Sequence, residues 1–330
     1  MKIAFLFLII DIIHNYKLWI KFFENAPKDQ LSIYVHQKKT VDIGWFNQYR
    51  LNITVDTQWG DISLVKAQNL LMETALRDIS NKMFIFVSGT CLPIRDFNFI
   101  MTRLDVNYSY FNMTHPAKSR YSAVKKYMSF DKFKKASQWC ILNRKHALIL
   151  MNAKNEMIEI FRNVFAADEH AYITTLYMRY SNEIKDQMTT MTNWDIGKQN
   201  KGYLKLGPKH YMLMDITEYE RYVNTPTIFF IRKIERNCLI CCDGYDSFPG
   251  RNISVMNNTN VNNQVDLLNA YQTCQNKNYG GFVFYKNAFY FRNHSVEKLV
   301  RGKKNFATSL LVLAMTLEDR IIYDLYDQVI

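Results

Sequence analysis

The chain has 330 residues, of which 48% are hydrophobic and 15% aromatic, with only 11 Gly and 6 Pro. That composition excludes collagen-like, low-complexity and disordered classes, and the length allows about two domains with a sizeable core. The formal net charge of +12 points to an anionic partner: nucleic acid, a membrane surface or a phosphorylated ligand.

Residues 3–10 form an unbroken apolar run bounded by polar residues, which suits a buried strand of a parallel sheet. Met1-Lys2 in front of it resembles the start of a secretory leader. Against a leader, Asp11 interrupts the apolar stretch and no small-residue cleavage site follows. The run is also shorter than the about 20 residues a membrane span needs. A strand is therefore expected, with an uncleaved leader or anchor as the alternative. Residues 16–24 read as a helix, 31–35 as a second strand and 52–55 as a short further strand. Over 64–80, Val65, Asn69, Met72, Leu76 and Ile79 recur at helical spacing and predict an amphipathic helix. The M-F-I-F-V segment at 83–87 is again a buried strand, ending at Ser88-Gly89. This alternation predicts an α/β layer with a mainly parallel sheet, in which nucleotides bind beyond the carboxyl ends of the strands.

Residues 105–135 are polar, aromatic and basic without clear periodicity, and read as a long functional loop. Between 118 and 145 lie Lys118, Arg120, Lys125, Lys126, Lys132, Lys134, Lys135, Arg144 and Lys145 against Asp131 alone. No finger-type Cys/His spacing or RNP-type aromatic pattern accompanies them, so a solvated basic face competes with an anion-binding surface. A strand is predicted over 138–142 and a helix from 145. Ala167-Asp168-Glu169-His170 opens a helix running to about Tyr180, with Asp168 placed to cap it. Residues 197–207 are a Gly/Lys-rich loop, and 227–231 a strand ending in Arg232-Lys233.

Beyond Arg236 the composition changes. Four of the six Cys (Cys238, Cys241, Cys242 and Cys274) fall here, with a turn-rich stretch at 243–263. Residues 281–292 read as a hairpin turning near Lys286-Asn287, and 306–323 as a late helix. The expected division is residues 1–236 as the main domain and 237–330 as a small α+β accessory module rich in Cys and aromatics.

Several chemistries are excluded by motif. There is no G-x-G-x-x-G, and the P-loop-like spacing at Gly197 to Gly202 carries Tyr203 where the lysine belongs. H-E-x-x-H is absent. Cys238-x-x-Cys241-Cys242 has no second ligand pair for zinc, so a local disulfide or free thiols are expected. Sugar-nucleotide transferases of the GT-A type usually hold a divalent cation with D-x-D, yet none of the 19 Asp is followed two residues later by another. In such an enzyme fixed Arg and Lys side chains would have to neutralise the leaving diphosphate.

An ordered series of short stretches resembles the Core-2/I-branching glycosyltransferase family, including its plant and viral members. The series comprises K-I-A-F-L-F-L (2–8) with Trp19-x3-Phe23, S-I-Y-V-H-Q-K (32–38), Gln58-Trp59-Gly60 with S-L-V-K-A-Q-N-L-L (63–71), and F-V-S-G-T-C-L-P-I (86–94). It continues through A-S-Q-W-C-I-L-N-R-K-H-A (136–147), Asp168-Glu169-His170, Thr192-Asn193-Trp194-Asp195, Gly207-Pro208-Lys209 and P-T-I-F-F-I-R-K (226–233). The resemblance implies a GT-A-like fold and an inverting, metal-independent transfer from a UDP-sugar, most simply of GlcNAc, with UDP-xylose or UDP-glucuronic acid as alternatives. It also implies no cofactor and no divalent metal.

The resemblance places Glu169 as the base that takes the acceptor hydroxyl's proton. Its alternative role is that of a first-turn acid favoured by a helix dipole. Lys233 matches the diphosphate-binding lysine, with Arg232 beside it on the opposite side of a continuing strand. Lys209 is the nearest match to the family's second cation, where an Arg is usual. Trp194, with Asp195, falls where an aromatic lies near the acceptor, the alternative being a core tryptophan. His36 falls where relatives contact uridine, often with Asp.

The implied partners are a UDP-sugar donor and a glycan or glycoprotein acceptor, with peripheral membrane association compatible and no nucleic acid expected. A catalytically silent glycan- or nucleic-acid-binding protein is the rival reading, motivated by the basic stretch. Six N-x-[ST] sequons (Asn52, Asn107, Asn112, Asn252, Asn257 and Asn293) fit a secretory lumen, although an Asn-rich chain produces many by chance. A strand at 3–10 fits a cytoplasmic setting equally.

Overall fold

The computed structural model describes residues 1–194, 208–241, 281–285 and 288–292, with Ile321 and Leu325. The expected loop at 197–207, Asp195, the stretch at 243–263, Cys242, Cys274, Lys286-Asn287 and most of the helix at 306–323 lie outside these residues. Two compact units are present: Met1–Pro208 with Pro226–Arg232, and Lys209–Thr225 with Lys233–Ile330.

In the first unit the elements run β1 (Lys2–Ile9), α1 (Tyr16–Glu24), β2 (Leu31–Gln37), α2 (Ser63–Leu76), β3 (Asn81–Ser88), β4 (Leu92–Pro93) and α3 (Phe97–Arg103). They continue with β5 (Ser109–Phe111), β6 (Met113–Thr114), α4 (Lys118–Tyr121), β7 (Lys135–Ala136), β8 (Ile141–Asn143), α5 (Arg144–Asn152), α6 (Lys154–Phe161) and α7 (Ala171–Tyr180). Strands β9 (Ile184–Asp186) and β10 (Thr190–Thr192) follow. The second unit holds β11 (Tyr211–Asp215) and α8 (Ile216–Val223); β12 (Phe230–Arg232) returns to the first, and β13 (Ile234–Cys241), β14 (Gly281–Tyr285) and β15 (Ala288–Arg292) belong to the second.

The central sheet has the order β2-β1-β3-β8-β5-β9. β1 pairs parallel with β2 and β3, and β5 parallel with β9, while β8 runs antiparallel to both its neighbours. This is the mainly parallel α/β architecture expected. Its cause is legible in β1, where every residue from Ile3 to Ile9 is buried. Side chains alternate across a strand, so Ala4, Leu6 and Leu8 enter one apolar cluster while Ile3, Phe5, Phe7 and Ile9 enter another on the opposite face. β3 divides in the same way, Phe84 and Phe86 against Met83, Ile85 and Val87. A strand buried on both faces must read as a continuous apolar run.

On the second face Trp19 of α1 is fully buried among Phe5, Phe7, Phe22, Phe23 and Phe230, and its Nε1–H donates to the Cys91 carbonyl at 3.0 Å.

Four expectations need correction. No strand forms at 52–55: the ladder to β2 is made by Arg50 and Leu51, opposite Val35, and Val55 instead donates its N–H to His36. The helix expected to reach residue 80 stops at Leu76, because Arg144 donates to the carbonyls of Leu76, Asp78 and Asn81 and ties the chain into a turn, leaving Ile79 exposed. The stretch at 105–135 is not one open loop, since it contributes β5, β6 and α4 and buries Val124 and Phe133. The strand expected at 138–142 starts only at Ile141, after a turn closed by Cys140 N–H on the Gln138 carbonyl.

In the second unit β11 pairs with β13, and β14 with β15 antiparallel, Tyr285 opposite Ala288, as the hairpin pattern requires. Cys91 and Cys140, both buried, are free thiols. Among the described residues no helix is long and apolar enough to cross a membrane.

Candidate functional site

The turn that carries Glu169 is shaped by two residues with positive φ. Gly60 sits at φ +75° and Ala166 at φ 54°, the one non-glycine residue in this region among the described residues. A left-handed alanine costs roughly 1–2 kcal/mol and persists only where surrounding structure fixes it. Here Ala166 N–H donates to the Gly60 carbonyl at 2.7 Å. The chain then makes a single 3₁₀ turn, Ala167–Glu169, before α7 begins at Ala171. Asp168 therefore caps nothing, contrary to the sequence expectation, and the Asp-Glu-His triplet stands ahead of the helix.

The three side chains of that triplet meet different surroundings. Glu169 Oε2 accepts from Arg120 Nη1 at 2.5 Å and lies 3.5 Å from Lys135 Nζ. Its Oε1 has no hydrogen-bond or ion-pair partner among the described residues. His170 is fully buried, stacked on Phe133 at 4.4 Å between centroids, with Nδ1 2.7 Å from the Lys134 carbonyl. A carbonyl only accepts, so Nδ1 carries the proton and Nε2 is free to accept from Arg120 Nη1 at 3.4 Å. Burial pushes His170 down to about 4, so the ring is neutral and Arg120 donates to a carboxylate and an imidazole together. Asp168 is pushed up to about 7, first by desolvation and then by the neighbouring Glu169 charge. Its Oδ1 is buried with no hydrogen-bond partner among the described residues.

Next to these groups stands a pair of aromatic rings. The Arg120 guanidinium lies 5.3 Å from the Phe165 centroid, and Phe165 meets Trp59 edge to face at 5.2 Å.

The other predicted site residues divide between the units. In the first, His36 is fully buried and its Nε2 accepts the Val55 N–H at 2.8 Å; burial lowers its pKa. The ring thereby holds the 50–55 segment against β2. Arg232 lies with its guanidinium 4.5 Å over the Trp139 ring, and burial lowers its pKa against the opposing pull of Cys91 and Asp168. Trp194 is 59% exposed, which removes the core alternative. In the second unit, the Lys233 carbonyl accepts from Tyr211 N–H at 2.8 Å, and Lys233 Nζ is 3.4 Å from His210 Nε2. Lys209 pairs with Glu218 at 3.2 Å and covers the Tyr211 ring.

Sequence reasoning missed Arg120 and Lys135 as partners of Glu169, and it missed the Trp59–Phe165 pair. The charge-dense stretch contained both cations, but nothing in it separates them from Arg144, which caps α2, or Lys145, which pairs with Glu183. Among the described residues no three of His, Cys, Asp and Glu gather as a metal-binding group.

The family profile described as Core-2/I-Branching enzyme matches residues 3–220. A curated relative, glycosyltransferase BC10 of Oryza sativa subsp. japonica, is 27% identical over 168 residues, covering 48% of this chain and 42% of its own length. The chain thus spans less than half the length of that relative. Among solved structures, a glycosyltransferase involved in the glycosylation of the major capsid of PBCV-1 overlaps at a TM-score of 0.35 and 7% identity, over 70% of this chain and 92% of that one. The galactosyltransferase LgtC, in complex with donor and acceptor sugar analogs, overlaps at a TM-score of 0.36 and 11% identity, over 70% and 86%. Overlaps this loose carry no inference about the chemistry here.

Proposed function

The chain belongs to the Core-2/I-branching enzyme family, and from that premise we propose that it is a glycosyltransferase of GT-A type moving a sugar from a UDP-sugar to a hydroxyl of a glycan or glycoprotein. The observation that carries this reading is Glu169: a carboxylate in a strained turn, anchored through Oε2 by Arg120 and Lys135, with Oε1 unengaged among the described residues.

In the proposed reaction the acceptor oxygen attacks the anomeric carbon of the donor from the face opposite the leaving group. The bond from that carbon to the diphosphate oxygen breaks, UDP departs with the electron pair, and the hydroxyl proton passes to Glu169 Oε1. A single displacement of this kind inverts the anomeric configuration and needs one base. Anchoring one carboxylate oxygen holds the other in position for the transfer.

The departing diphosphate gains charge that something must balance. The sequence has no D-x-D, which supports fixed cations in place of a divalent metal. Lys233 is assigned to the diphosphate by its match to the family's lysine, with Arg232 and Lys209 as further cations. Trp194 and Asp195 are assigned to the acceptor, and His36 to the neighbourhood of uridine. GlcNAc is the simplest donor sugar, with xylose and glucuronic acid as alternatives.

The test is UDP release from UDP-GlcNAc, UDP-xylose and UDP-glucuronic acid, with EDTA and separately with Mn²⁺. Turnover that survives EDTA supports the cation assignment; an absolute need for Mn²⁺ refutes it. Release of UDP from none of the donors refutes the transferase reading itself.

A further inference from the structure

Two large aromatic rings stand exposed on the far side of Arg120 from Glu169 and belong to neither buried cluster. Trp59 is 78% exposed and Phe165 49%, and they meet at an interplanar angle of 75°. Their placement is enforced from both sides. A Cβ on Gly60 would lie 2.6 Å from Phe165 Cε2, so a glycine lets the loop carrying Trp59 lie against that ring. Ala166, which follows Phe165, is the left-handed residue whose N–H is held by the Gly60 carbonyl. A glycine-only backbone at Gly60 and a strained alanine at Ala166 therefore fix one exposed aromatic pair against the turn that presents Glu169. Arg120 completes the arrangement, with its guanidinium near the Phe165 face and its Nη1 on the Glu169 carboxylate.

Scattered exposed aromatics are ordinary, but an exposed pair fixed next to convergent charged groups has the make-up of a ligand surface. We propose that Trp59 and Phe165 form the acceptor-side stacking surface, taking the apolar C–H face of a pyranose ring of the acceptor glycan. The proposal deepens the reading of Glu169 as the base and rests on it. A pyranose is amphipathic, with ring hydrogens on its faces and hydroxyls around its rim. The electron-rich face of an aromatic ring attracts those hydrogens and contributes contact area at small loss of side-chain freedom. With one face seated on the rings, rim hydroxyls meet Arg120, Lys135 and Glu169, where hydrogen bonds to charged groups fix orientation. A nucleobase is the competing flat occupant. The catalytic carboxylate must touch the acceptor oxygen, so a surface joined to Glu169 through the Arg120 side chain is assigned to the acceptor.

The test is steady-state transfer by the full chain and its Trp59→Ala, Trp59→Tyr and Phe165→Leu variants, alongside binding of the same proteins to an array of printed glycans. The acceptor is the array glycan that yields most product with the wild type. The expected result is an acceptor KM raised at least tenfold in Trp59→Ala and largely restored in Trp59→Tyr, with the donor KM within twofold. Acceptor KM within twofold of wild type in both Trp59→Ala and Phe165→Leu overturns the proposal. So does a rise confined to the donor KM, which places the uracil on the rings instead. If the wild type releases UDP from no UDP-sugar, the transferase reading fails separately and the array decides. Weakened glycan binding by Trp59→Ala then upholds the stacking surface, while unchanged binding, or none by the wild type, overturns it.

Discussion

Asp168 offers a quantitative test of the local structure, through the substitution Asp168→Asn. Its carboxyl is half-buried, with Oδ1 sealed from solvent and unpartnered among the described residues, and desolvation together with the Glu169 charge raises its pKa from 3.8 to about 7. The native state therefore holds a proton that the unfolded chain releases. Stability falls as pH rises from about 4 to about 7 and is level above that range. The gap between 3.8 and about 7 corresponds to roughly 4 kcal/mol of preference for the protonated form, and residual solvent access reduces the net effect to about 2–3 kcal/mol. Asparagine is an uncharged isostere of the protonated acid and carries none of this penalty. Paired urea titrations from pH 4 to pH 8.5 should show the variant gaining on wild type up to about pH 7 and then holding a constant lead. Titrating groups that do not interact with Asp168 cancel in the difference. A difference independent of pH, or a wild type more stable than the variant at pH 8, would refute the reasoning.

Two further outcomes follow from the core. Trp19→Ala empties a site walled by five aromatic rings and orphans the Cys91 carbonyl; it should cost about 3–5 kcal/mol by denaturant titration, and a loss under 1 kcal/mol would contradict the packing described. Burial raises the Cys91 thiol and pushes Cys140 up to about 12. Peptide mapping after iodoacetamide treatment of the native protein at pH 8 should therefore find both unmodified, and rapid labelling of either would place it outside the core.

What could be read from the sequence depended on the range of the interaction. β1 and β3 declared themselves because burial on both faces leaves a contiguous apolar run, and α1 because nine residues carry their own periodicity. Local pattern misled where a distant group intervened. Arg144 ends α2 from a point 68 residues away, and the Gly60 carbonyl turns the chain at Ala166 so that Asp168 never reaches a capping position. The site shows the same division. The Asp-Glu-His motif singles out Glu169 through the family resemblance, whereas its pairing with Arg120 spans 49 residues and lay hidden among nine cations of equal appearance. Trp59 was visible as part of a motif, but its exposure and its contact with Phe165 are properties of the folded loops alone.

The central claim is that Glu169 is the base, and its most direct measurement is transfer by wild type and Glu169→Gln with the preferred donor and EDTA present. Glutamine keeps the shape and loses the ability to accept the proton. Turnover should fall at least about a hundredfold, the contribution expected of a positioned base, with the thermal shift on UDP binding retained. A Glu169→Gln protein that transfers sugar at the wild-type rate would contradict the account.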